Sequence, residues 1–364
     1  MSAEYRNEQD NEQSNQAESH KRRPRYKGAY PKNFKEKYKE LQPEKYAATI
    51  DHVMSKGATP AGTHIPIMVN EILGVLQIKP GEIGMDATLG YGGHTSKMLE
   101  KLEHQGHLYA TDVDPIESKK TKERLEKMGY GEDLLTIKLM NFAQIDELAA
   151  AYGPFDFILA DLGVSSMQID NPDRGFSYKV EGPLDLRMNP EKGKSAAQRL
   201  LEMDQEEIEG MLVDNADEPY AGQIAKTIYQ DLKHGKKVET TTELHAEIEK
   251  ALTGIHAISP EDWKEAVKKS SARTFQALRI DVNQEYEALY AFLEKLPDAL
   301  APGGRAAILT FHSGEDRLVK KSFKDFYKSG VYQEITQDVI RPSAQECVQN
   351  SRARSTKLRF ARKA

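Results

Sequence analysis

A glycine-rich turn, Asp86-Ala-Thr-Leu-Gly-Tyr-Gly-Gly-His94, closes an apolar run at Ile83–Leu89 and opens a helical pattern over Thr95–His104. Gly90, Gly92 and Gly93 can take positive φ and let the backbone come close to a ligand. A helix starting near Thr95 would aim free N–H groups at an anionic end such as a carboxylate. Twenty residues past Gly92, at the end of a second apolar run, comes Asp112 in Asp112-Val-Asp114-Pro115. A carboxylate there can accept both ribose hydroxyl protons of a nucleotide cofactor, or it can cap the next helix. The buried run Phe155–Ala160 ends in Asp161-Leu-Gly-Val-Ser-Ser166, so Asp161 emerges where its strand reaches the same crevice. It can accept a proton from an exocyclic amine or hold a substrate amine in line with a donor, and its plain alternative is a turn residue.

A dinucleotide fingerprint wants a third glycine three residues after the second, where this chain has Thr95. An acidic residue in the first strand, Asp86, followed by clustered glycines is instead the pattern of S-adenosylmethionine enzymes. A nicotinamide-dependent oxidoreductase is the competing enzyme class, disfavoured by Thr95 and by the Asp161 segment. A non-catalytic RNA-binding or assembly factor that keeps the fold is a third possibility.

Strand-like and helix-like segments alternate from about His64: Ile83–Leu89, His107–Thr111, Leu135–Leu139 and Phe155–Leu162 as strands, with helical patterns between them. That alternation predicts a parallel sheet covered by helices on both faces. From about 171 to 272 the strands stop and helical patterns take over, at Glu206–Asn215, Ala221–Leu232 and Thr242–Leu252. A long helical stretch, Arg273–Leu296, leads back to strands at Arg305–Phe311 and near Lys357–Ala361. The alternation predicts an α/β fold, a Rossmann-like sheet at residues 63–170 and 273–364 interrupted by a helical insert at 171–272, which the S-adenosylmethionine pattern of the glycine turn would make a methyltransferase sheet with a substrate-recognition insert. Residues 1–62 form an extension, polar and then basic-aromatic, whose first part lacks the apolar content to order itself.

The net charge of −6 argues against a general nucleic-acid binder, but the charge is uneven. Nine Lys/Arg stand against one Glu from Lys21 to Lys39, and seven against one from Arg341 to the end. The second group, Arg352-Ala-Arg354-Ser-Thr-Lys357-Leu-Arg359, can present cations to phosphates from one face of a strand, or it is a solvated edge. With one cysteine, Cys347, and no Cys/His cluster at zinc spacing, no structural metal is expected. No run approaches the ~20 apolar residues of a membrane span and no secretory signal is evident, which points to the cytoplasm.

Eight motifs in order, from His64-Ile-Pro through the glycine turn, Asp161-Leu-Gly-Val-Ser-Ser166, Arg174-Gly-Phe-Ser, Gly182-Pro-Leu-Asp-Leu-Arg-Met188, Arg273-Thr-Phe-Gln-Ala-Leu-Arg-Ile280 and Phe311-His-Ser to Asn350-Ser-Arg-Ala-Arg-Ser355, resemble the RsmH (MraW) family. Three segments depart from its pattern: Gly314 replaces a leucine, Ser270-Ser271 a His-Pro, and Asp217-Glu-Pro-Tyr220 a Glu-Glu-Arg-Phe type of segment. The first 60 residues have no family counterpart.

The resemblance implies methylation, with S-adenosylmethionine, of the N4 amino group of a cytidine in the decoding region of small-subunit ribosomal RNA, as RNA or as the assembled subunit. Carried over by position, the cofactor contacts are Gly92, Gly93, His94, Asp112, Phe142, Asp161 and Gln168. Phe142 would lie against the adenine, or serve as ordinary core. Methylating a cytosine ring carbon normally needs a cysteine nucleophile, whereas an amino group needs only orientation, desolvation and a proton acceptor. Asp161 is the candidate acceptor, with Ser165 and Ser166 as hydrogen-bond partners. Asp173–Arg187 would frame the pocket for a base turned out of its stack; Phe176 or Tyr178 would stack on it, or pack between the domains. His64, His94 and His312 are far apart in sequence, but the topology can bring them to one crevice, where they read as backbone-bonding or substrate-positioning residues and not, without carboxylate or thiolate companions, as a metal site.

Overall fold

The computed structural model describes residues 66–364, so the extension at 1–62, its basic stretch and His64 lie outside the described residues. The first half runs α1 (Val69–Leu76), β1 (Ile83–Asp86), α2 (Gly93–Leu102), β2 (His107–Asp112), α3 (Pro115–Lys127), β3 (Leu135–Leu139), α4 (Ile145–Tyr152), β4 (Phe155–Asp161) and α5 (Ser166–Asp170). Five helices follow: α6 (Ala196–Glu202), α7 (Gln205–Ala216), α8 (Ala221–Lys233), α9 (Thr241–Leu252) and α10 (Trp263–Asn283). The chain ends α11 (Glu285–Ala299), β5 (Leu300–Thr310), α12 (Ser313–Lys328), β6 (Tyr332–Ile335), α13 (Ala344–Gln349) and β7 (Lys357–Lys363).

The strands make one sheet in the order β3-β2-β1-β4-β5-β7-β6. β1 through β5 pair in parallel, and β7 runs antiparallel between β5 and β6. Helices cover both faces, which is why Phe157, Ile158, Leu159 and Ala160 of β4 are all buried in succession rather than alternating. One face packs Ile72 and Leu76 of α1 with Met98, Leu99 and Leu125, and the other packs Ile145, Leu293, Leu296 and Phe323. Gly84 lets neighbouring strands close: a Cβ there would sit 2.1 Å from the Phe157 ring. The winding reverses between β1 and β4. In an open sheet of this kind, the crevice beyond the strands' carboxyl ends at that reversal is where ligands bind.

The insert has its own core, built from Leu200, Ile208, Leu212, Ile224, Ile228, Leu244 and Ile248. Ser195, Asp204 and Thr240 open α6, α7 and α9 with capping boxes, each completed by a Gln or Glu three residues on. Such caps stabilise a helix start by about 1 kcal/mol and set where each insert helix begins. The boundary read at 272/273 falls inside α10, a single helix of 21 residues. Phe275, Ala277 and Leu278 belong to the insert's core, and the break comes instead at Gln284, in the left-handed region at φ 49°. That break also divides the stretch read as one helix into α10 and α11. β6 was not anticipated: four residues with two inward positions, Tyr332 and Ile335, carry too short a pattern.

A candidate methyl-transfer cleft

A cleft of about 1380 Å³ opens at the winding reversal, between the sheet and the insert. Gly90, Gly93, His94, Asp112, Phe142, Asp161, Ser165, Ser166, Gln168 and His312 all line it, so most of the side chains picked out along 220 residues of sequence do share one cavity.

The turn is held from below. Asp86 is 1% exposed and accepts hydrogen bonds from the Thr88 amide at 3.1 Å and the Thr95 hydroxyl at 2.7 Å. Burial pushes the Asp86 pKa up, against the pull of Thr95 and of the nearby His94. Gly92 and Gly93 are glycines because protein fills the space: a Cβ would stand 2.9 Å from Thr121 Cγ2 and 2.5 Å from Pro66 Cγ respectively. Gly92 itself is buried and does not line the cleft. Gly90, at φ 45°, has only a backbone oxygen at 3.8 Å from its Cβ direction, leaving an open cradle above the turn.

Asp112 does not cap α3; Asp114 does, accepting from the Ile116 and Glu117 amides. Asp112 turns into the cleft with one oxygen accepting from the Gly90 amide at 2.8 Å and the other from the Asp114 amide at 2.9 Å. Each oxygen keeps acceptor capacity for a ligand hydroxyl. Burial drives its pKa to about 6 despite those two amides. A desolvated carboxylate with spare acceptors is suited to a pair of ribose hydroxyls.

His94 Nε2 lies 2.9 Å from the Ile67 carbonyl oxygen, and Nδ1 lies 3.3 Å from Asp161 Oδ2. Burial opposes charge on His94, but the Asp161 carboxylate and the Ile67 carbonyl outweigh it and hold the pKa above the ordinary histidine value. Asp161 Oδ1 is shielded from solvent and has no hydrogen-bond partner among the described residues. An orphaned carboxylate oxygen in a cleft wall fits a ligand that brings its own N–H.

The other candidates are more fully engaged. Gln168 donates to Asp114 at 2.8 Å and accepts from the Ser165 amide, while Ser165 caps α5 through the Gln168 amide. Ser166 lines the cleft from the first turn of α5. Phe142 packs edge-on against Phe292, at 5.2 Å between centroids, with part of its ring at the cleft. Phe176 is buried in the insert's core beneath Arg174, and Tyr178 stacks on His245 at 4.7 Å. His312 lies 3.1 Å from Glu315, whose pKa is held low: burial opposes its charge, but His312, the Phe311 amide and Arg279 outweigh it.

The tail cations do not all face outward. β7 is an interior strand, and Lys357 and Arg359 both bind Asp316, at 2.9 and 2.7 Å, while Arg352 binds Asp170 at 3.0 Å. The sequence marks Arg174 as part of a motif and of the pocket-framing segment, but not as an anchor between the two walls. It is 8% exposed, donates to Asp114 at 2.8 Å, and donates from its other nitrogen to the Arg187 and Met188 carbonyls at 3.1 and 2.7 Å. Among the described residues, no three His, Cys, Asp or Glu side chains are grouped to hold a metal ion, and no helix is long and apolar enough to cross a membrane.

A doubly wound sheet with this glycine turn, an acidic second-strand end and an orphaned acid at the fourth defines an S-adenosylmethionine-dependent methyltransferase. The MraW methylase family profile matches residues 61–364, and the chain belongs to that family. It is 65% identical to ribosomal RNA small subunit methyltransferase H 1 of Lachnoclostridium phytofermentans, over 94% of this chain and 93% of that one. It is also 65% identical to the protein of the same description from Agathobacter rectalis, over 94% and 97% of the two chains. These matches span more than the family profile does, so much of the 1–62 extension, read as lacking a family counterpart, has one in both relatives. A solved S-adenosylmethionine-dependent O-methyltransferase from Thermotoga maritima aligns with TM-score 0.40 at 12% identity, over 86% of this chain and 71% of that one.

The residues fit the methyl donor. Asp112 would hold the ribose hydroxyls, the Gly90 cradle and the start of α2 the amino-acid end, and Phe142 the adenine edge, leaving Asp161 Oδ1 for the amine that takes the methyl group. Bound there, S-adenosylmethionine supplies an electrophilic methyl group on a sulfonium.

Proposed function

We propose that this protein methylates the N4 amino group of a cytidine in the decoding region of small-subunit ribosomal RNA, as RNA or in the assembled subunit. The observation that carries the chemistry is Asp161: a carboxylate in the cleft wall, one oxygen near His94 and the other with no partner among the described residues. The names of the relatives support the RNA class. An exocyclic amine needs a neighbouring acceptor for the proton it sheds as the N–C bond forms, and Asp161 serves as that acceptor. His94, with Nδ1 3.3 Å from Asp161 Oδ2, steadies the orientation of the carboxylate. Ser166 is placed to orient the base from α5, while Ser165 fixes the loop as a helix cap. A base turned out of its stack would enter the cleft between sheet and insert. Such a substrate places the enzyme in the cytoplasm.

Mass-spectrometric mapping of small-subunit RNA with and without the gene tests this. A methyl group on one cytidine N4 should vanish on deletion, return with the wild-type gene, and fail to return with Asp161→Asn. Persistence of that mark in the deletion strain, or loss of a mark on another base, would overturn the assignment.

A further inference from the structure

The two walls of the cleft are sorted by charge. Among the described residues, the wall from residues 66–170 contributes Asp112, Glu117 and Asp161 and no Lys or Arg. Between 171 and 282 the lining holds eight Lys or Arg against three Asp or Glu. A chain whose net charge is −6 has therefore placed a basic surface on the insert, directly across from an acidic one. This sorting matches two ligands of opposite sign: a sulfonium donor with an ammonium on one side, and a polyanion on the other.

Not every cation on the insert wall is available. Arg187 is bound to Asp185, Arg199 to Asp281, and Arg279 to Glu285, at 2.6, 2.9 and 2.7 Å. Lys179 and Lys192 are exposed and make no ion pair among the described residues. Lys268 and Lys269, side by side on α10, share one carboxylate, Glu265, at 3.0 and 3.8 Å. The Tyr178 hydroxyl donates to the Lys268 carbonyl at 3.4 Å, which brings the Lys179 loop up against α10. Of the C-terminal cations, Arg352, Lys357 and Arg359 are engaged at Asp170 and Asp316, and the exposed Arg341 and Arg354 do not line the cleft.

We infer that Lys179, Lys192, Lys268 and Lys269 form the surface that grips the phosphates of the RNA strand flanking the target base. This rests on the RNA reading above and assigns its binding to the insert rather than to the basic C-terminal strand. Exposed lysines are well suited to that role: they act as point charges on backbone phosphates, carry no sequence information, and leave base choice to the deeper cleft.

The test uses the full-length protein and small ribosomal subunits from cells lacking the gene. Lys192→Glu/Lys268→Glu/Lys269→Glu is compared with Lys321→Glu/Lys324→Glu, exposed positions of α12 away from the cleft. The first variant should raise KM for subunits at least about tenfold and lower the slope of log affinity against log salt by about two to three. Its kcat at saturating subunits should stay within about twofold, and its S-adenosylmethionine affinity should match wild type. The α12 variant should behave as wild type. Wild-type turnover with an unchanged KM and salt slope in the triple variant overturns the phosphate surface alone. Equal losses in both variants also overturn it, because they reflect net charge and not a site. Failure of the wild type to methylate any RNA, with methyl transfer to protein or DNA instead, overturns the RNA reading and the surface with it.

Discussion

The Thr95 hydroxyl donates to Asp86 Oδ2 at 2.7 Å, and both residues are essentially out of reach of water. The bond ties the first turn of α2 to the end of β1 and so fixes the glycine loop between them. A glycine at 95, as a dinucleotide site would use, could not make it.

Thr95→Val keeps the shape and removes the donor. The Asp86 carboxylate then loses one of its two hydrogen bonds, and stability should fall by about 1–3 kcal/mol at pH 7.5. Asp86 is already raised above its ordinary pKa by burial, and the substitution raises it further. An acid whose folded pKa exceeds its unfolded one loses stability as pH rises between the two values. The deficit relative to wild type should therefore shrink as pH is lowered toward 5, read from Tm at each pH. A deficit that does not change with pH would show that Asp86 is not responsible.

Asp112 sets a second pH dependence. Its pKa of about 6 comes mainly from burial, and in the cofactor-binding role proposed for it the ribose hydroxyls would donate to the ionised form. Binding therefore favours loss of the Asp112 proton, so affinity is full above pH 6 and declines below it. Calorimetry with S-adenosylmethionine should show Kd rising as pH falls from 6.5 to 5, approaching about tenfold per unit at the acid end. Asp112→Asn should bind more weakly at pH 8 and lose most of this slope.

Much of this site was legible because strand ends are marked twice, by an apolar run and by the acid that ends it. Asp86, Asp112 and Asp161 each close such a run, and the parallel winding brings them to one rim. What sequence could not supply was the partner of each polar group. Asp112 and Asp114 are equally good caps on paper; only the fold turns one inward to Gly90 and the other to α3. Arg174 and the C-terminal cations meet their partners across 41 to 182 residues, separations at which no local pattern operates. The α10–α11 break at Gln284 carries no glycine or proline to announce it.

The three departures from the family pattern meet at one seam. Glu218 is buried and accepts from Ser270 at 2.8 Å, and Tyr286 of α11 reaches the Asn215 carbonyl at 3.4 Å, just before Asp217. Gly314 yields to the same tyrosine: a Cβ there would lie 1.9 Å from its hydroxyl oxygen. Gly314→Leu should thus destabilise the protein by about 1–3 kcal/mol through overpacking. Tyr286→Ala opens that space, so the double variant should recover part of the loss. Additive effects in a double-mutant cycle by urea denaturation would show that the two positions do not share space.

Arg174 connects the cofactor side to the insert through a buried ion pair with Asp114 and two carbonyls of the 187–188 segment. Leu186, just before them, sits at φ 63°, a strained conformation for leucine that needs such support. Removing one partner of a buried pair strands the other, at a cost of about 3–5 kcal/mol. Arg174→Met should therefore lower stability by that order, and Asp114→Asn/Arg174→Met by clearly less, since the stranded carboxylate is gone. The single variant should also raise KM for the RNA substrate by more than it weakens S-adenosylmethionine binding, because the 186–188 wall is released while the Asp112 hydrogen bonds to Gly90 and Asp114 amides remain. Equal effects on both ligands would mean that Arg174 supports the whole sheet end and not the insert wall in particular.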